Sequence, residues 1–501
     1  MLELKSFVNG KWVGGSGAGQ MLLNPATEEP LARASSDGLD LRAALDYARE
    51  KGGPALRALT FAERAALLKA MADAMQAERD RLLELGIANG GNTRSDAKFD
   101  IDGGIATLLE YSRIGSILGG KKFLVDGEGI QLGRSARFHG QHACVPRHGV
   151  AVHINAFNFP AWGFAEKAAV ALLAGMPVLA KPATSSAMLA HRVMEIIAQG
   201  KILPDGALSL LVGGPGELVS LLGPQDVLAF TGSGDTGARI RASKNVIEHS
   251  VRVNVEADSL NAAVLGPDVE PRSDMYELFL KDVVRDMTQK AGQKCTAIRR
   301  VLVSPGILEG VKSDLSELLA AVKVGNPAEE DVRMGPLATA SQLDDVLRGL
   351  ARLGGRLVFG ENRRIHGRGF FLSPVLVESP GDAVHEHEVF GPVASLLPYA
   401  QDAASLVARG NGGLVSSIYS DDQAFLEETA MAIAPYHGRI FLGHPKIELS
   451  PGPGTVLPQL VHGGPGRAGG GEELGGARGL SFYLQRVALE GSRPVIQKLL
   501  G

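Results

Sequence analysis

Cys295 lies in Ala291-Gly292-Gln293-Lys294-Cys295-Thr296 and is one of two cysteines in the chain. A free thiol that only fills a core is ordinarily surrounded by apolar residues. Here a lysine stands beside it. A nearby cation favours the thiolate, the form that attacks electrophilic carbon. The segment reads as a candidate nucleophile, with an inert buried thiol as the plain alternative. A second candidate is Gly232-Ser233-Gly234-Asp235-Thr236-Gly237, with G-x-G-x-x-G spacing between a strand-like run and a helical pattern. Backbone N–H groups at such a helix start favour phosphate oxygens, so the spacing suggests a dinucleotide. A structural turn in a glycine-rich chain would have the same letters. By spacing alone Glu256, about 20 residues further on, would be an acid on a ribose hydroxyl.

The elements that must position these residues alternate. Phe7 to Val13 reads as a hairpin turning at Asn9-Gly10. Leu39 to Glu50 and Ala62 to Glu84 have helical spacing. Short apolar strands at Gly149–Ile154, Pro177–Lys181, Leu208–Val212 and Val227–Thr231 are interleaved with helices at Ala161–Leu173 and Ser185–Ile197. That alternation predicts a doubly wound parallel sheet. A second α/β series runs from about Asn261 to Leu397. Gln131 to Cys144 and Leu480 to Leu489 mix apolar with polar residues, as strands that project from the main sheets would. Exposed edges of that kind invite pairing with another chain.

Composition sets the bounds. A chain of 501 residues predicts two or three domains. The net charge of -4 offers no basic field for nucleic acid. Two cysteines cannot build a disulfide framework or a cysteine-rich zinc site, which suits a reducing, cytoplasmic setting. His385 and His387 form an H-x-H fragment without an evident third soft ligand, so no metal is expected. The apolar stretch Ala165 to Ala180 holds Glu166 and Lys167 and is broken by Gly175 and Pro177, so no membrane span is expected.

Six motifs then follow in order: Phe157-Asn158-Phe159-Pro160, Lys181-Pro182-Ala183-Thr184, Phe230-Thr231-Gly232-Ser233, Glu256, Gly292-Gln293-Lys294-Cys295, and Glu388-Val389-Phe390-Gly391-Pro392. Together they resemble the aldehyde dehydrogenase superfamily, over nearly the whole chain. The resemblance implies an α/β fold: a Rossmann-like NAD(P)-binding domain (1–127 and 148–258), an α/β catalytic domain (259–470), and a small projecting β oligomerisation element (128–147 and 478–501). It implies a homodimer. It implies that Cys295 attacks an aldehyde, that Asn158 and the Cys295 N–H hold the oxyanion, and that Glu256 activates the water that hydrolyses the thioester. Lys181, Thr184 and Ser185 would meet the adenosine ribose. Gly232, Ser233 and Phe157 would line the cofactor, and Glu388 and Phe390 would hold the nicotinamide ribose and ring. Taken singly, Asn158 could be a turn residue, Lys181 a strand-end lysine reaching solvent, and Glu256 and Glu388 solvated acids.

Two departures from the family pattern refine these expectations. Glu-Leu-Gly-Gly, often found around the catalytic glutamate, occurs here at Glu473 to Gly476, in the C-terminal glycine-rich segment, whereas Glu256 is followed by Ala257-Asp258-Ser259-Leu260-Asn261. The latter resembles the branch that oxidises CoA-linked semialdehydes in aerobic phenylacetate and benzoate breakdown. Because the dehydrogenase pattern is complete at Gly501 and no hydratase follows, the stand-alone benzoate type is the closer likeness. Glu473 is expected to take no part. In the second departure, Thr184 stands where NAD-preferring members place a glutamate, followed by Ser185 and Ser186. Loss of that charge predicts NADP, with NAD possible. A general aldehyde dehydrogenase, a CoA-acylating enzyme and a silent binding protein of the same fold are the alternatives. Glu256 argues against the second, and the presence of Cys295, Asn158 and Glu256 against the third.

Overall fold

The computed structural model describes residues 1–379, 381–447 and 450–501. Two seven-stranded sheets form its frame. In the first, Arg252–Glu256, Val227–Thr231, Ala151–Ile154, Val178–Lys181 and Leu208–Leu210 lie parallel in that order. The hairpin Ser6–Val8 and Lys11–Val13 closes its edge, with Asn9 (φ 54°) and Gly10 (φ 71°) at the turn. Positive φ at both central residues is what a tight two-residue hairpin demands. The parallel strands are almost wholly buried because helices cover both faces, which is why they read as continuous apolar runs.

The second sheet runs Arg356–Phe359, Val375–Glu378, Val393–Pro398, Arg300–Val303, Ala262–Leu265, Gly413–Tyr419 and His437–Gly443, parallel except for its first strand. Helices Asp274–Thr288 and Leu308–Ala320 pack on one face, with Phe279, Val283 and Leu315 in the core. A separate two-stranded hairpin, Val461–Gly464 with Gly471–Leu474, lies against the first sheet at Arg252–Glu256.

Three sequence expectations need correction. The helical pattern from Ala62 to Glu84 is two helices, Phe61–Ala77 and Arg79–Gly90. The chain bends at Glu78 (φ -104°, ψ 13°), which sets Leu82 and Leu83 into the core. The projecting stretch Gln131–Cys144 spans parts of two strands, Leu124–Gln131 and Phe138–Pro146. Residues 132–137 make the connection, where Ser135 O accepts the N–H of Phe138 at 3.1 Å. The last strand is Leu484–Ser492, not Leu480–Leu489, because Leu480 is buried in the main core within a tight helical turn. These strands form an antiparallel sheet with Phe138–Pro146 in the middle, and Ile496 and Leu500 of the final helix pack on Ala143.

Candidate active site

The first sheet delivers several expected site residues at the carboxyl ends of its strands. Asn155, Phe157 and Asn158 follow Ala151–Ile154, Lys181 ends Val178–Lys181, Gly232 and Ser233 follow Val227–Thr231, and Glu256 ends Arg252–Glu256. In open parallel sheets this rim is where ligands bind.

Cys295 comes from the other direction, on a strained turn. After Asp274–Thr288 the chain passes through left-handed Lys290 (φ 55°), Ala291 (φ 52°) and Gly292 (φ 66°). Each non-glycine residue there costs roughly 1–2 kcal/mol. Contacts across the molecule hold the turn in place. Lys290 Nζ donates to Asn92 Oδ1 at 3.0 Å. A Cβ at Gly292 would lie 2.2 Å from the Gly391 carbonyl. Asn261 Nδ2 donates to the Cys295 and Ala297 carbonyls, both at 2.8 Å. Arg299 donates to the Lys294 and Gly391 carbonyls and pairs with Glu388 at 3.2 Å, tying the Cys295 turn to the Glu388 segment.

Cys295, Glu256 and Asn158 meet where two cavities join. One is a cleft of about 490 Å³ lined by Phe157, Lys181, Gly232, Ser233, Glu388 and Phe390 among others. The other is an inner chamber of about 30 Å³ walled by Phe99, Phe159, Trp162 and Val456, room for a water or an aldehyde head. Asn155, Asn158, Thr231, Glu256 and Cys295 line both. Asn158 Nδ2 donates one hydrogen to the Gln293 carbonyl at 3.0 Å, which leaves its second N–H for another acceptor.

Lys294 does not supply the cation expected beside the thiol. It is turned away and buried, donating to Asp286 at 2.9 Å and Gln289 at 2.8 Å. The basic side chain that faces Cys295 is His462, whose Nε2 lies 3.8 Å from Sγ and 3.1 Å from Glu256 Oε2. Burial and the Glu256 carboxylate push the Cys295 thiol well up. Burial also disfavours the Glu256 carboxylate, but His462 and Lys167 outweigh it and hold the group at about 2. His462 is correspondingly raised, Glu256 overcoming its burial.

Glu473 was expected to be a bystander, yet it sits one layer behind. The hairpin register sets His462 directly opposite Glu473, so both side chains share a face. Asn254 fixes the hairpin by donating to Glu473 Oε1 at 3.1 Å and accepting the Glu472 N–H at 3.0 Å. Lys167 Nζ pairs with Glu166 and Glu473, each at 2.9 Å. Oxygens of Glu166, Glu256 and Glu473 lie within 4.8 Å of one another. Burial raises Glu473 to about 7 despite Lys167. The sequence did carry a signal for this layer, since Glu166 and Lys167 interrupt an otherwise apolar helix, Trp162–Ala174. Charges in such a place are kept only when paired.

In the cleft, the Phe157 and Phe390 rings meet edge to face at 5.9 Å, and Arg299 lies over Phe390 at 5.4 Å. Glu388 accepts the Ser259 N–H at 2.9 Å; burial, and secondarily Asp258, raise it to about 7 although Arg299 opposes. Lys181 is lowered to about 8 by burial. Thr184 and Ser185 do not line the cleft as expected. The Thr184 hydroxyl donates to the Gly213 carbonyl at 2.9 Å, and Ser185 offers its carbonyl to Asn89. The start of helix Gly234–Arg241 is also capped from within: Ser233 Oγ accepts the Thr236 N–H, and Asp258 Oδ1 accepts the Gly234 N–H at 2.9 Å. Glu256 faces Cys295 and not the phosphate end, so the spacing-based ribose role is set aside.

Residues 12–488 match the model of the aldehyde dehydrogenase family. A 3,4-dehydroadipyl-CoA semialdehyde dehydrogenase of Aromatoleum evansii is 46% identical, with 93% of each chain covered. A lactaldehyde dehydrogenase of Escherichia coli is 30% identical over 80% of this chain and 82% of its own. Among solved structures, an aldehyde dehydrogenase from Bacillus cereus in an NAD+ complex superposes with a TM-score of 0.85 at 23% identity, covering 98% of this chain and 97% of its own.

Proposed function

The chain belongs to the aldehyde dehydrogenase family, and from that premise we propose that it oxidises a CoA-linked semialdehyde, 3,4-dehydroadipyl-CoA semialdehyde in particular, to the acid with NADP. The observation that carries the chemistry is the meeting of Cys295, Asn158 and Glu256 at the junction of cofactor-sized cleft and inner chamber. The substrate choice is supported by the 46% identical relative.

The cleft suits a nicotinamide dinucleotide. Buried polar atoms of Asn155 and Thr231 have no hydrogen-bond partner there, and Phe390 and Glu388 stand beside them, suited to a ring and a ribose. Lys181 and Ala183 line the same cleft, and Lys181 is suited to a 2′-phosphate. NADP preference rests on Lys181 and on Thr184 in place of an acid; the Thr184 hydroxyl itself is occupied.

Cys295 Sγ forms a bond to the aldehyde carbon. The resulting oxyanion is met by the free N–H of Asn158 and the backbone N–H of Cys295, an arrangement typically worth ~3–4 kcal/mol of barrier. The bound nicotinamide would accept the hydride from that carbon, leaving the acyl group on Sγ as a thioester. Glu256, kept as a carboxylate, orients a chamber water and takes its proton as the water attacks; the C–S bond breaks and the acid leaves. Lys167 and Glu473 lie behind Glu256, and a group titrating near 7 there can hold or release that proton. The apolar chamber walls exclude bulk water from the thioester.

The test is an assay of aldehydes with and without a CoA moiety, with NADP and NAD, and with no free CoA added. Acid formed with the highest kcat/KM from the CoA-linked semialdehyde and NADP supports the proposal. A preference for small free aldehydes, or a requirement for free CoA, overturns the substrate or the hydrolytic step respectively. Full oxidation by Cys295→Ala would overturn the nucleophile.

A further inference from the structure

We propose that His462 is a catalytic residue that takes the Cys295 thiol proton: the S–H bond breaks, an Nε2–H bond forms, and the imidazolium lies between the Sγ thiolate and the Glu256 carboxylate. The inference deepens the reading of Cys295 as nucleophile and rests on it.

The geometry sets a problem that this step solves. Glu256 is 2% exposed and points at a partly buried thiol, so a thiolate there would face both desolvation and a carboxylate. Buried like charges are costly unless a cation stands between them. Around Cys295 most cations are committed elsewhere. Lys294 is held by Asp286 and Gln289, and Lys167 by Glu166 and Glu473. Arg439 donates to the Pro453 carbonyl. Among the described residues, His462 is the one whose nitrogen reaches both Sγ (3.8 Å) and Glu256 Oε2 (3.1 Å). The three reacting atoms fall within 4.8 Å of one another, and His462 is 3% exposed. Neither Glu256 oxygen has another hydrogen-bond partner, and Nδ1 of His462 has none.

An imidazolium in the middle turns one repulsion into two attractions. The groups facing His462 are Glu256 and Cys295 in contact, with Glu166 favouring its cationic form and Arg439 opposing it at longer range. Glu256 therefore has two tasks. It holds the imidazolium in place while the thiolate is the nucleophile, and it acts on water after the acyl group has removed charge from sulfur.

The position is fixed by a hairpin and not by the nucleophile's own loop. His462 lies on Val461–Gly464, where Gly463 adopts φ +143° and a Cβ would meet the Gly471 carbonyl at 2.1 Å. The glycine-rich C-terminal segment thereby brings its histidine to a cysteine far away in sequence.

The test uses the full-length protein carrying Cys144→Ser, so that Cys295 is the one thiol reporting. Its alkylation rate with iodoacetamide is followed across pH, with thiolate absorbance as a second readout. The expected profile has an inflection below the ordinary thiol range. His462→Gln and His462→Asn should move it up by about one pH unit or more, which is about tenfold slower alkylation near neutral pH. Superimposable profiles overturn the proposal. So does an inflection at or above the ordinary thiol value in the protein that retains His462, a result that needs no variant to fold. Cys295→Ala separates the two readings: if it abolishes oxidation while the His462 profiles coincide, only the histidine assignment fails.

Discussion

At the residue scale, the roles proposed for Glu256 and Cys295 can be divided by kinetics. Glu256→Gln should still form the thioester and release one equivalent of reduced cofactor in a burst. Steady turnover should then fall by roughly 10²–10⁴, the usual contribution of a positioned base. Stopped-flow absorbance of the reduced nicotinamide checks it; the burst should be slowed, because a neutral Gln holds the His462 imidazolium less well, and loss of the burst altogether would mean that hydrolysis is not the main step Glu256 serves. Lys181 gives a pH prediction with a definite sign. Burial lowers it to about 8, so it is cationic at pH 7 and loses its charge as pH rises through 8. NADP affinity should weaken from pH 7 to 9 more steeply than NAD affinity, and Lys181→Met should remove the difference. Fluorescence titration of both cofactors reads this directly. Equal pH slopes would place the 2′-phosphate elsewhere.

At the scale of elements, the site depends on a two-stranded hairpin that supplies His462 and Glu473 from opposite strands. Asn254 anchors it through two hydrogen bonds from the neighbouring sheet strand. Asn254→Ala should cost about 2–3 kcal/mol, since it removes two part-buried hydrogen bonds, one of them to a carboxylate. It should also slow both acylation and deacylation, because His462 and Glu473 both lie on the hairpin that Asn254 anchors. Thermal denaturation together with burst and steady-state rates will check both parts. An unchanged rate with a lowered Tm would make the hairpin merely structural. The same scale shows why the sequence was partly legible. Short buried strands and the Asn9-Gly10 turn announce themselves locally, whereas the bend at Glu78 is fixed by where Leu82 and Leu83 find the core.

At the scale of the molecule, the projecting sheet and final helix expose Ile130, Leu132, Phe138, Val487, Val495 and Leu499. Strand Leu484–Ser492 has a sheet neighbour on one side only. An apolar surface beside an open sheet edge fits a second copy of the chain, as the expected homodimer requires. Val487→Arg with Leu499→Arg should therefore yield monomers by light scattering while leaving the fold intact by circular dichroism. An unchanged mass would exclude this face as the interface. No helix among the described residues is long and apolar enough to cross a membrane.

Local chemistry determined the α/β alternation and the nucleophile candidate, because each is written in a short stretch of chain; the order of the motifs, through the family resemblance, pointed to Asn158 and Glu256 as the proposed oxyanion donor and base. The histidine that lies beside the thiol was not legible. Lys294 is adjacent in sequence, but the left-handed turn at Lys290 to Gly292 sends its side chain to Asp286. His462 is remote in sequence and reaches Sγ only because a glycine-rich hairpin packs against the end of strand Arg252–Glu256. Glu473, set aside from its sequence context, is brought opposite His462 by strand register. Charge proximity depends on distance through space, and only the tertiary structure decides that distance.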